Sequence, residues 1–127
     1  MSTKLLIIED DPDIAQIYVE IATNVGYEKI EIIYDGSGAL HRLENHEDIP
    51  DVIFLDLFIP EVPGEDVLRK IRMNPYWKDV EVIVITASEK SAKLFTDHDE
   101  SLPRADKTIL KPFEFIDLAN ILRSKIQ

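Results

Sequence analysis

Cysteine is missing from this 127-residue chain. Its absence excludes a disulfide framework, a thiolate metal site and thiol chemistry, and fits a cytoplasmic location. Glycine is scarce, with four residues, and none builds the closely spaced loop that cradles a nucleotide's phosphates. No apolar run approaches the length of a bilayer span, and the opening MSTKLLIIEDD meets acids too soon for a signal peptide. Membrane insertion is therefore not expected. Bases are few beside acids, 14 against 25, for a net charge of −11. A surface that negative repels a phosphate backbone, so direct nucleic-acid binding is not expected either. It favours a cation or a basic partner wherever acids converge.

Apolar residues are plentiful. They make up 45 % of the chain, enough for one sizeable core in a single domain over 1–127. Five apolar runs read as buried strands: KLLIIE (4–9), KIEIIY (29–34), DVIFLD (51–56), VEVIVIT (80–86) and KTILK (107–111). Helical patterns lie between them. Ile14, Ile17, Tyr18, Ile21, Ala22 and Val25 stripe the segment 12–26, which stops at Gly26. Ala39, Leu40 and Leu43 mark 37–46, and Val67, Leu68 and Ile71 mark 65–73. Phe115, Leu118, Ala119, Leu122 and Ile126 share one side of 114–126. These stripes read as core contacts. The stretch 88–103 carries a short helix whose pattern is diluted by Asp97, His98 and Asp99. Strands alternating with helices predict a parallel sheet with right-handed crossovers, a three-layer α/β/α sandwich.

In such a sheet all strands end at one edge, where ligands bind. The first strand ends in EDDPD (9–13). Asp11 before Pro12 is a good helix N-cap, but one acid suffices for that, and the adjacent Asp10 needs another reason. Asp56 ends the third strand, Thr86 the fourth and Lys111 the fifth. Taken singly, Asp11 reads as a cap, Thr86 as a strand-end hydroxyl and Lys111 as a surface amine. Asp56 resists such a reading, because VIFLDLFIP places it in apolar surroundings where an unpaired acid is costly. Three acids so close repel unless a cation sits among them or a proton is shared. Oxygen donors without His or Cys suit Mg²⁺ or Mn²⁺ better than Zn²⁺. A central carboxylate can also act as a nucleophile, with Lys111 and Thr86 serving the phosphoryl group. The chemistry expected is metal-assisted phosphoryl transfer to or from an aspartate.

These motifs, IIEDDPDI, PDVIFLDLFIPEVPGEDVLRKIR, VIVITAS and ILKPF, resemble the receiver domain of two-component response regulators over essentially the whole chain. The resemblance implies a flavodoxin-like, doubly wound sheet of order 2-1-3-4-5. It implies Asp56 as phosphoacceptor, and Mg²⁺ held by Asp10, Asp11, Asp56 and the backbone carbonyl of Phe58. Lys111 would pair with the acid or the phosphoryl oxygen, Thr86 would bond the phosphoryl group, and the peptide before Pro112 would be cis. A sensor histidine kinase or histidine phosphotransfer protein would be the donor, with small acyl phosphates as substitutes. The domain would catalyse only its own phosphorylation and dephosphorylation. It would signal to a downstream protein, with a homodimer compatible. Phe58 and Ser88 would tune the lifetime of the phosphoryl group, Phe58 by restricting the hydrolytic water.

Three departures stand out. Thr108 occupies the position, three before the lysine, where the family commonly carries an aromatic switch residue. Arg104 stands where a glycine is common, and the segment from Thr86 to Lys111 is somewhat long. A ring swinging behind an inward hydroxyl therefore cannot operate here as it does in relatives. Two rivals follow: a receiver-like interaction module without phosphorylation, and an aspartyl-nucleophile phosphohydrolase. The hydrolase would want its nucleophile on strand one, where Pro12 intervenes, and a cap domain that this length does not hold. Trp77 reads as a packing residue and His98 as a solvated loop residue.

Overall fold

The structure is a computed structural model and describes residues 3–126. Five strands and five helices alternate: β1 (Lys4–Ile8), α1 (Pro12–Val25), β2 (Lys29–Ile33), α2 (Gly36–Arg42), β3 (Val52–Asp56), α3 (Gly64–Met73), β4 (Glu81–Thr86), α4 (Glu89–Thr96), β5 (Lys107–Leu110) and α5 (Phe115–Arg123). All pairings are parallel, in the order β2-β1-β3-β4-β5. The sheet order and layer arrangement are those expected above. Sequence order reverses between β1 and β3, the place where a doubly wound sheet opens a crevice.

The pleat divides each central strand between two apolar layers. Leu5, Ile7, Phe54, Ile83 and Ile85 face α1 and α5, where Tyr18, Ile21, Leu118 and Leu122 cover them. Leu6, Ile8, Ile53, Leu55, Val82 and Val84 face the opposite layer with Val67, Leu68 and Ile71. Nearly all of these side chains are fully buried, each contributing on the order of 1.5–3 kcal/mol of transfer free energy. Trp77 is also buried and donates its indole N–H to the Asn45 carbonyl at 3.0 Å, so it packs as expected.

Two stripe residues depart from their expected burial. Ile17 is 43 % exposed, because Ala15, Tyr18, Ile21 and Ala22 define the inner face and Ile17 lies about 100° round the helix from Tyr18. Phe115 is 48 % exposed because it opens α5, a turn before Leu118 reaches the core. The second helix also stops earlier than the pattern suggested, at Arg42, while Leu43 at its C-cap stays buried.

Candidate functional site

The chain turns sharply after β3, and glycine makes the turn compact. A Cβ on Gly64 would stand 2.3 Å from the Asp56 carbonyl oxygen and 2.6 Å from the Leu57 Cα, so only glycine fits. The Gly64 N–H donates to the Leu57 carbonyl at 2.9 Å, closing the loop. Asp56 is thereby fixed at the strand end, 7 % exposed. Its Oδ1 accepts the Phe58 backbone N–H at 2.9 Å, and its Oδ2 accepts Lys111 Nζ at 2.7 Å. The Phe58 side chain is 63 % exposed, so its ring is not spent on packing.

Glu9 follows β1 directly. The register pairs Ile8 with Leu55, which continues to set Glu9 beside Asp56. Glu9 is 1 % exposed. Its Oε1 accepts Lys111 Nζ at 3.2 Å and its Oε2 accepts the Asp11 N–H at 3.2 Å. Carboxylate oxygens of Glu9, Asp10 and Asp56 all lie within 4.8 Å of one another. Burial, then the adjoining Asp56 carboxylate, push the Glu9 carboxyl up to about 7, against the opposing pull of the Asp11 N–H and of Lys111. For Lys111, burial favours loss of the proton, but the hydrogen bond to Asp56 and the charges of Asp56 and Glu9 outweigh it. The ammonium is held above its ordinary range and stays charged.

The expected residues are thus distributed unevenly. Asp10, Asp56 and Lys111 converge. Asp11 does not join the acid cluster; its Oδ1 accepts the N–H groups of Asp13 at 2.9 Å and Ile14 at 3.4 Å, capping α1. Glu9 stands with Asp10 and Asp56 in its stead. Thr86 is fully buried at the end of β4, where its hydroxyl accepts the Ser88 N–H at 3.1 Å and its carbonyl accepts the Lys111 N–H at 2.8 Å. Ser88 in turn caps α4 through Ser91 N–H at 3.1 Å. The Lys111–Pro112 peptide is cis, as the resemblance implied. Glu9, which no motif singles out, joins the cluster. The signal for it was the pleat: Leu5 and Ile7 face one side, so position 9 faces it too, beside Asp56.

The donor set fits a hard divalent cation. Three carboxylates stand together, two of them buried, and a single ammonium cannot neutralise them all.

The model of the response regulator receiver domain matches residues 5–123. The chain is 31 % identical over 126 residues to the response regulator ArlR of Staphylococcus saprophyticus, covering 98 % of this chain and 53 % of that protein. It spans about half the length of the curated relatives it matches. Among solved structures, the phosphorylated cyanobacterial phytochrome response regulator RcpA shares the fold at a TM-score of 0.81, with 24 % identity over 98 % of this chain and 91 % of that one. The receiver domain of a sensor histidine kinase from Pseudomonas aeruginosa, solved with a magnesium ion coordinated in its active site cleft, matches at a TM-score of 0.78. There the identity is 22 % over 98 % of this chain and 97 % of that one. With its parallel sheet in the order 2-1-3-4-5 and acids and a lysine at the strand ends, the chain belongs to the response regulator receiver domain family.

Proposed function

We propose that residues 1–127 form one receiver domain in which Asp56 takes a phosphoryl group from a phosphohistidine. The observation that carries this reading is the ion pair of Lys111 Nζ with Asp56 at 2.7 Å, beside Glu9 and Asp10 at the carboxyl edge of the sheet. An Asp56 carboxylate oxygen attacks phosphorus as the P–N bond breaks. The bonding pair stays on the ring nitrogen, and an imidazole protonated at its other nitrogen leaves neutral. Lys111 keeps its proton and follows the charge onto a phosphoryl oxygen. Thr86 offers a hydroxyl from the adjacent strand end.

Glu9, Asp10, Asp56 and the Phe58 carbonyl would hold Mg²⁺, with Mn²⁺ an alternative. Asp11, expected in this set from sequence, is left to its cap. When bound, the cation supplies positive charge between the attacking carboxylate and the phosphoryl oxygens. The donor would be a sensor histidine kinase or a phosphotransfer protein, and a downstream protein would read the phosphorylated state. No external substrate is turned over. A cytoplasmic location accords with this role, and no described helix is long and apolar enough to cross a membrane.

A second reading, an interaction module without phosphoryl transfer, draws on Thr108. That half-buried residue lines a groove of about 460 Å³ with Phe95, Ile109, Asn120 and Ile121. Intact mass after incubation with Mg²⁺ and acetyl phosphate separates the two. The expected result is a single phosphoryl adduct, lost on chelation and lost in Asp56→Asn. No adduct, from this donor or from a phosphorylated histidine protein, would overturn the phosphoacceptor reading in favour of the module.

A further inference from the structure

The proposed chemistry leaves one buried polar group unused. Tyr18 stands on the inner face of α1, 1 % exposed. Its ring meets Phe54 edge-on at 5.5 Å and Phe113, tilted, at 5.9 Å. Phe54 precedes Asp56 by two residues on the same face of β3, and Phe113 follows Lys111 by two. The ring therefore packs behind the Asp56–Lys111 ion pair. Its hydroxyl is buried and has no hydrogen-bond partner among the described residues. An idle buried hydroxyl is destabilising, and phenylalanine would fill nearly the same space without it. Tyr27, in the same layer, shows the usual solution by donating to the Leu122 carbonyl at 2.8 Å.

Glu9, two residues after Ile7, and Asp56, two after Phe54, turn toward the same layer of the sheet as Tyr18. Burial first, then the charges of Glu9 and Asp56, hold the phenol protonated, as a donor. Glu9 is the acid with room for one. Both of its hydrogen bonds, from Lys111 Nζ and from the Asp11 N–H, are long at 3.2 Å. A divalent cation among the three acids repels the Lys111 ammonium and weakens the first of them. A neutral phenol suffers no such repulsion. We propose that Tyr18 is a positioning residue of the cation site, donating its O–H to the Glu9 carboxylate when the cluster holds a divalent cation. The inference rests on the reading of Glu9, Asp10 and Asp56 as cation ligands.

Calorimetric titration of the metal-free protein with Mg²⁺, beside denaturation without metal, tests it. Tyr18→Phe should be as stable as the parent or more so, yet bind Mg²⁺ about tenfold more weakly, the loss typical when an outer partner of a ligand is removed. Tyr18→Leu, which deletes ring and hydroxyl together, should lose stability through the cavity but bind Mg²⁺ no more weakly than Tyr18→Phe. Unchanged Mg²⁺ affinity in Tyr18→Phe would overturn the role of Tyr18 and leave the cation site standing. A parent that binds no Mg²⁺ would overturn both.

Discussion

Glu9 is a carboxylate with almost no solvent, set against a second carboxylate and steadied by one lysine. Its proton is held up to about 7, well above the usual 4.5. A raised carboxyl contributes stability that is complete below the unfolded value and lost as pH rises through the folded one. In the presence of a chelator, stability should therefore fall between about pH 4.5 and 7 by on the order of 2 kcal/mol. Glu9→Gln should flatten that slope and be the more stable protein at pH 7; urea denaturation across the range reads both. Phe58 is the other informative residue. Because its ring is 63 % exposed two residues after Asp56, the proposed acceptor, we expect it to obstruct the hydrolytic water. Phe58→Ala should lose its phosphoryl group about threefold faster, a change of under 1 kcal/mol in barrier. Equal or slower release of inorganic phosphate would assign the ring no such part.

At the scale of elements, the helix starts divide the acids by job. Asp11 satisfies two orphan N–H groups of α1, and Asp35 satisfies one of α2, that of Gly38, at 2.6 Å. Asp11→Ala should cost about 1 kcal/mol of stability while leaving Mg²⁺ affinity within about twofold. Asp10→Ala should show the reverse, losing affinity at least about tenfold with little change in stability. Affinity lost in Asp11→Ala would return that residue to the site. The elements themselves were legible because their signals are local. Continuous Ile, Val and Leu runs marked the strands, Pro12 opened α1, and Gly26, with φ at +119°, closed it. Exposure of Ile17 and Phe115 was not legible, since a helical period gives the direction of a face but neither its width nor where the sheet beneath it ends.

The whole molecule converts that local pattern into a site. Parallel pairing sends every strand to the same edge, so Asp56, Thr86 and Lys111, far apart in sequence, were readable as neighbours from topology alone. Glu9 was harder, because an acid ending an apolar run looks like the first solvated residue. The pleat turns it inward, and the register of β1 against β3 sets it beside Asp56. The side of the sheet bearing α4 owes its form to long-range contacts that no motif announces. Arg72 of α3 donates to the carbonyls of Arg104, Lys78 and Val80 and pairs with Asp106 at 2.9 Å, fastening the unusual segment before β5. The central claim, that this architecture exists to phosphorylate Asp56, meets its most direct test in trapping the acyl phosphate. After incubation with Mg²⁺ and acetyl phosphate, borohydride reduces an aspartyl phosphate to homoserine, which peptide mass mapping locates. The account predicts homoserine at position 56 alone and none without Mg²⁺; label at another acid, or no label with either donor, would contradict it.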